Sequence, residues 1–203
     1  MCMARTDWER VVEFHGHSCP GLAVGYRVAK IALRELAGNR AADEELVAVV
    51  ENDACGVDAV QLLTGCTLGK GNLIYRDYGK HVFTFICRSS KKAVRISVRG
   101  SVWRQNEEGY RALRAKVFGG TADPQERELF RRHQEERTRY ILEAPEEEFC
   151  VVQHLTMEPP PKARIFDSVT CAFCGEPVAE ARARVREGKF ACIPCTGEYS
   201  RGW

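Results

Sequence analysis

Long apolar runs are what this sequence has least of: no stretch of about 18 apolar residues occurs in the chain, and its first residues, MCMARTDWE, already include acids. Neither a membrane-spanning helix nor an export signal is expected, and the expected setting is cytoplasmic, with no membrane partner. A dominant charge is missing too. Thirty basic residues face 28 acidic ones for a formal charge of +2, so nothing global draws the chain to nucleic acid or anionic lipid. Any such partner would need a local patch. With 44% apolar residues over 203 positions, there is enough to fill a core, and disorder is not the default.

What the sequence does have is cysteine, ten of them. Without an export signal the cytosol keeps thiols reduced, which favours metal binding or thiol chemistry over a disulfide framework. The spacing then has to decide.

The pattern reads as a mixed α+β core followed by a small module. Asp7 to Phe14 suits a short helix, and Leu22, Tyr26, Ala29, Leu33 and Leu36 recur at helical spacing between Pro20 and the stop signal Gly38. Leu46 to Val50 reads as a buried strand, and "ENDACG" turns the chain into a second helix with Asn52 or Asp53 as its cap. Strands are expected at residues 72–75, 82–87 and 93–98, the last two as a hairpin around "RSSKK". Asp123 to Glu143 suits a charged helix with one buried face, made of Leu129, Phe130, His133, Arg137, Tyr140 and Ile141. "FCVVQHLTM" reads as one more strand, and the prolines of "EPPPKAR" end the core. The boundary is placed between residues 160 and 161, giving a core over 1–160 and a small domain over 161–203.

That small domain carries Cys171 and Cys174 as one CxxC pair and Cys192 and Cys195 as another, with 17 residues between them. Each pair can turn back as a knuckle and supply two corners of a tetrahedron, so the spacing implies a structural zinc ribbon. A segment this short cannot hold itself together by apolar burial alone, and a metal cross-link answers that need. Nucleic acid is not favoured as its partner: from Phe166 to Trp203, Arg182, Arg184, Arg186, Lys189 and Arg201 are matched by Asp167, Glu176, Glu180, Glu187 and Glu198. Four thiolates on zinc add about two negative charges, leaving no electrostatic drive toward phosphates. A protein partner or a stabilising role is the better expectation.

The core has its own constellation. "FHGHSCPG" places His15, His17 and Cys19 at alternate positions, which an extended backbone would aim to one side. Cys55 opens a helix, where the dipole favours a thiolate, and Glu51, Asp53 and Asp58 lie near it in sequence to hold a histidine. Cys66 joins only if that helix breaks early at Gly65 and the "TGCTLGKGN" turn folds back. The same turn is not a P-loop, since its glycine spacing is short and it follows a helix, although Lys70 between glycines is a candidate contact for an anion.

"FHGHSCPGLAVGYRVA" followed by "VENDACGVDAVQLLTGCTLGKGNL" closely resembles the FmdE family, the proteins related to the FmdE component of formylmethanofuran dehydrogenase. The likeness spans roughly residues 8–100 and puts the family's motif positions on His15, His17, Cys19, Cys55 and Cys66. It implies an α+β core, often an intertwined homodimer, with a zinc finger appended in some members. The parent enzyme uses molybdenum or tungsten in one-carbon metabolism, but this chain has no large cofactor apparatus or iron–sulfur cysteine runs, so an accessory part is what the resemblance implies.

Three functions follow. The first is a metal-binding accessory or sensor protein that has zinc in the ribbon and room for a second transition metal in the core. His17, Cys19 and Cys55 would hold that metal, with His15 as a further ligand or its support, and the mixed donors suit zinc, nickel or copper(I). The second is a metal- or cysteine-dependent enzyme with Cys55 or Cys19 as nucleophile, His17 as base and Asp58 or Asp53 orienting it. The third is a regulatory adaptor that meets a protein partner through the ribbon.

Overall fold

A capping box starts the first helix: Thr6 Oγ1 accepts from the Glu9 amide at 3.2 Å, and the Glu9 carboxylate accepts from the Thr6 amide at 2.7 Å. The structure, a computed structural model, describes residues 5–38, 40–103 and 107–197, without the side chains of 107 and 108. Helix α1 covers Asp7–His15 and stops at Gly16, whose φ of +93° is open to glycine at little cost. Helix α2, Pro20–Glu35, follows with Cys19 as its N-cap and Pro20 in its first turn. It buries Leu22, Ala23, Val24, Val28, Ala29, Ile31 and Ala32 and forms the spine of the domain.

Strand β1, Leu46–Val50, leads into α3, Gly56–Thr64, and then β2, Leu73–Tyr75, which lies parallel to β1. The expected cap at Asn52 or Asp53 is not the one used. Cys55 is the N-cap of α3, while Asn52 Oδ1 accepts from the Ala54 amide at 3.1 Å and its Nδ2 donates to the Lys80 carbonyl at 2.7 Å. Asn52 therefore builds the turn before the helix instead of opening it.

Strands β3, Val82–Cys87, and β4, Lys92–Val98, form the expected antiparallel hairpin. A 3-10 turn at Gly100–Trp103 leads to α4, Glu107–Phe118, then α5, Pro124–Glu143, the short α6, Glu146–Phe149, and β5, Cys150–Thr156. The sheet order is β2-β1-β3-β4-β5. Alternation along its strands sends Ala48, Val50, Phe83, Phe85, Val94 and Ile96 into one core with Val24, Val28 and Ile31 of α2. Each fully buried phenylalanine there contributes about 1.5–3 kcal/mol.

Helix α5 opens with a second capping box, Asp123 with Glu126, and buries Thr138 and Ile141. Leu129, expected in the buried stripe, is 48% exposed, so the stripe runs from Phe130 onward. Arg27 of α2 ties that end down by donating to the carbonyls of Ile141 and Ala144 at 2.9 and 2.6 Å, with its guanidinium 4.3 Å from the Phe149 ring centre.

The chain divides into two compact units, one running to Lys162 and the other from Ala163. The second consists of two hairpins, β6 (Ser168–Thr170) with β7 (Pro177–Ala179) and β8 (Arg184–Arg186) with β9 (Lys189–Ala191), and the short helix α7, Ile193–Thr196. A 3-10 turn at Glu180–Arg182 joins them.

Candidate metal centre

Two helices begin side by side. Cys19 caps α2 and Cys55 stands at the N-cap position of α3 without a side-chain capping bond, and the two helices approach so closely because glycines face each other: a Cβ on Gly25 would fall 2.0 Å from the carbonyl oxygen of Gly56. Gly21 completes the contact, since a Cβ there would lie 3.3 Å from Cys55 Cβ, 3.8 Å from Cys55 Sγ and 4.0 Å from Cys19 Sγ. Sequence reasoning missed Gly25 and Gly56. The signal for Gly25 was the four-residue spacing of glycines in "GLAVG", which puts Gly21 and Gly25 on one helical face.

His15 reaches the same place from the last turn of α1. Its nearest ligand atom and the sulfurs of Cys19 and Cys55 all lie within 4.8 Å of one another. A tetrahedral centre with bonds near 2.3 Å sets thiolates about 3.8 Å apart, so the group needs to contract by only about 1 Å. His15 Nδ1 is 2.7 Å from Asp58 Oδ2, which fixes the donor on Nδ1 and leaves Nε2 as the lone-pair nitrogen. That Nε2 is buried with no hydrogen-bond partner. A histidine with an orphaned acceptor, grouped with two thiols, fits a soft or borderline metal ion.

The other expected members lie elsewhere. His17 is exposed: Gly16, in the left-handed conformation, breaks the extended backbone that would have aligned it with His15, and its ring packs on His15 at 4.5 Å without entering the ligand group. The imidazole oriented by a carboxylate is therefore His15, not His17. Asp53 is exposed, and Glu51 faces Arg95 at 3.8 Å. Helix α3 does break at Gly65, but Cys66 then turns into the core, fully buried, and its Sγ donates to the Leu46 carbonyl at 3.3 Å. It sits at the far end of a nine-residue helix from Cys55, roughly 13 Å by helical rise. Lys70 is also engaged structurally, donating to the carbonyls of Ala41, Ala42 and Asp43 at 3.4, 3.3 and 3.0 Å.

Burial decides the state of the Cys19 and Cys66 thiols. Cys19 is pushed up to about 11, first by burial and then by the neighbouring Cys55, although the amides of Leu22 and Gly21 pull it down. Burial outweighs the helix start. Cys66 rises to about 11 for the same reason.

The second unit gathers Cys171, Cys174, Cys192 and Cys195. The sulfurs of Cys174 and Cys192 are 3.8 Å apart, the edge of a tetrahedral thiolate site. Gly175, at φ +79°, closes the first knuckle by donating to the Cys171 carbonyl at 2.9 Å. Amides of Cys192, Cys174 and Phe173 hold the Cys171 thiol down at about 6, already biased to the metal-binding form. Arg186 is committed internally: it donates to the Cys195 carbonyl at 2.6 Å and lies over the Phe173 ring at 4.7 Å. Glu198 and Arg201, part of the charge balance read from sequence, fall outside the described residues.

Two cavities flank the core cluster. One, of about 450 Å³, is lined by Cys19, Pro20 and Gly21 and by side chains of α4 and α5. The other, of similar size and mostly apolar, is bordered by His15, Cys55 and Asp58 with Asp53, Leu68 and Tyr75.

Fold and site define a class: an α+β domain with a C4 zinc finger appended. The profile of FmdE, described as "Molybdenum formylmethanofuran dehydrogenase operon", matches residues 14–151, and that of the prokaryotic dksA/traR C4-type zinc finger matches residues 164–201. The chain belongs to the FmdE family, and its ribbon is a zinc-binding C4 finger. It is 36% identical over 196 residues to a probable S-adenosyl-L-methionine-binding protein of Archaeoglobus fulgidus, covering 94% of this chain and 52% of the relative. The chain thus spans about half the length of the curated relative it matches. In fold it is similar to the crystal structure of a tungsten formylmethanofuran dehydrogenase FmdE-like protein from Syntrophus aciditrophicus, with a TM-score of 0.62, 23% identity, and 96% and 97% of the two chains covered.

Proposed function

We propose that the core is a ligand-accessible metal centre of accessory or sensor type, held by His15, Cys19 and Cys55, with the ribbon zinc as a separate structural site. The observation that carries this reading is the convergence of a His15 ring nitrogen with the sulfurs of Cys19 and Cys55 within 4.8 Å, in a ring whose Nδ1 is held by Asp58 and whose Nε2 is buried without a partner. Three protein ligands leave a fourth position, as in centres that exchange a ligand, whereas four thiolates close the ribbon site. Two thiolates balance a divalent ion, so the centre is neutral before its fourth ligand arrives. A nucleophilic role for Cys19 is less well supported, because burial pushes its thiol up to about 11.

Metal analysis of the purified chain tests the proposal. Two equivalents are expected in the native chain and one in Cys55→Ser, with the ribbon metal retained. Cys66→Ala should keep both. A native chain with a single equivalent, unchanged by Cys55→Ser, would reject the core centre.

A second reading comes from the name of the archaeal relative. The mostly apolar cavity beside Cys55 carries Asp53, Asp58 and Tyr75, a lining that suits a cationic sulfonium with an apolar body and ribose hydroxyls. Calorimetric titration with S-adenosylmethionine decides it: saturable heat lost in Asp53→Asn supports this reading, and no heat removes it.

A further inference from the structure

The two core sulfurs have a second chemistry open to them besides metal binding. Cys19 and Cys55 stand at the starts of neighbouring helices, and their Sγ atoms lie within 4.8 Å of one another. In a disulfide the sulfurs are about 2.05 Å apart, so the gap to close is less than about 3 Å. A change of χ1 rotamer at one cysteine moves its sulfur by a comparable distance.

The surroundings favour that closure. Cys19 Sγ accepts from the Leu22 amide at 3.4 Å and is held at the start of α2. Cys55 makes no side-chain capping bond, so its sulfur is not tied to the start of α3. Gly21 keeps the space between them open: a Cβ there would lie 3.8 Å from Cys55 Sγ and 4.0 Å from Cys19 Sγ. The close contact of Gly25 with Gly56 fixes the spacing of the two helices. Reagents can approach from two sides, since Cys19 lies on the wall of one cavity and Cys55 on the wall of the other, each of about 450 Å³. Both thiols are partly exposed, whereas Cys66 and Cys150 are buried in the core. Two accessible thiols held at short range on rigid elements are a pair that oxidation can join.

We propose that Cys19 and Cys55 are a redox pair, joined as an intramolecular disulfide by a low-molecular-weight disulfide oxidant. Cys55, as its thiolate, attacks one sulfur of the small disulfide and releases one small thiolate, which leaves a mixed disulfide on Cys55. Cys19 Sγ then gives up its proton and attacks the Cys55 sulfur, and the new S–S bond forms as the bond to the second small thiolate breaks. Two protein thiols lose two electrons and two protons, and the small disulfide becomes two thiols. Proximity drives the second step. The consequence for metal rests on the reading given above: the disulfide takes away both sulfur ligands and leaves His15 alone, so oxidation empties the core centre.

Peptide mapping of the full chain tests this. The protein is incubated with bis(2-hydroxyethyl) disulfide and a chelator, the remaining thiols are alkylated, and a tryptic digest is analysed by mass spectrometry without reduction. A cross-link is expected between peptides 11–27 and 41–70, which hold Cys19 and Cys55. Because the second peptide also holds Cys66, two variants assign the link: Cys55→Ser should abolish it and Cys66→Ala should keep it. Unfolding in urea should lower the ratio of cross-link to mixed disulfide by about 10-fold or more, since the effective concentration of one thiol at the other depends on the fold. No cross-link in the native chain, a link that survives Cys55→Ser, or a ratio that urea leaves unchanged overturns the proposal. Excess zinc in place of the chelator should suppress the link, because metal-bound thiolates are not free to attack. A link that zinc does not suppress would reject the metal centre while the redox pair stands, and absence of the link under chelator would reject the redox pair while the metal count stands.

Discussion

His15 Nδ1 and Asp58 Oδ2 lie 2.7 Å apart across 43 residues of chain, joining the last turn of α1 to the first turn of α3. The carboxylate accepts the Nδ1 proton, which leaves Nε2 free to coordinate. Asp58→Asn keeps the size of the side chain but offers an amide that can donate to Nδ1, favouring the tautomer with its proton on Nε2. Core-site affinity for cobalt(II) or zinc should fall by about 10- to 100-fold with the fold intact. Competition against a chromophoric chelator measures it, and wild-type affinity in the variant would show that Asp58 does not orient the ligand.

The glycine contact between α2 and α3 makes a different kind of prediction. Because a Cβ on Gly25 would meet backbone at 2.0 Å, Gly25→Ala has to push the helices apart. Overpacking of this sort costs about 1–3 kcal/mol or more, and it also separates Cys19 from Cys55. Urea denaturation should show the loss of stability, and metal analysis the loss of the core equivalent. Gly21→Ala should be milder on stability, since its nearest contact is the Cys55 side chain at 3.3 Å, while still lowering core affinity. Unchanged stability in Gly25→Ala would mean that the helices are not in van der Waals contact at this point.

How far the sequence revealed this arrangement can be followed residue by residue. The α2 periodicity, the β3–β4 hairpin and the extent of the charged helix α5 were legible because each is set by local pattern. So were the ribbon cysteines, whose spacing is itself the geometry. His17 was misread because alternation implies one face only in extended backbone, and the left-handed Gly16 ends that assumption one residue earlier. Cys66 could not be placed from sequence: whether a turn folds toward a site or into a core depends on long-range packing against Leu46. Helix α4 had no place in the sequence reading, although Tyr110, Leu113 and Val117 recur at helical spacing before Gly119 and Gly120. With it went the cavity beside Cys19, which exists only once α4 and α5 are folded against the start of α2.

His81 supplies a pH dependence. It is half-buried against Trp103, and burial lowers its proton affinity below the ordinary value of 6.5. At pH 7 the ring is mostly neutral in both folded and unfolded chains. As pH falls below 6.5 the unfolded chain takes up the proton first, so stability falls, and this contribution levels off below the folded-state value. The slope from one such group is at most about 1.4 kcal/mol per pH unit. NMR titration should place the His81 midpoint below 6.5, and His81→Phe should flatten the stability profile between pH 7 and 5. A midpoint at or above 6.5 would contradict the burial seen here.

Zinc removal should act on one unit of the chain only. The buried apolar cluster of residues 163–197 consists of Cys171, Ala191 and Cys192, far too little to offset the conformational entropy of ordering that segment. Its stability has to come from the metal, whose binding contributes about 10–16 kcal/mol in comparable zinc-finger peptides at neutral pH. The first unit has its own extended core around Phe83, Phe85, Ile96 and Phe149 and does not share that dependence. Treatment with a strong chelator under reducing conditions should therefore collapse the amide resonances of β6 to β9 to random-coil positions while those of β1 to β5 keep their dispersion. Cys192→Ser should have the same local effect without a chelator. If the ribbon resonances stay dispersed after the metal is gone, the hairpins stand on packing alone and the four thiols have no structural role.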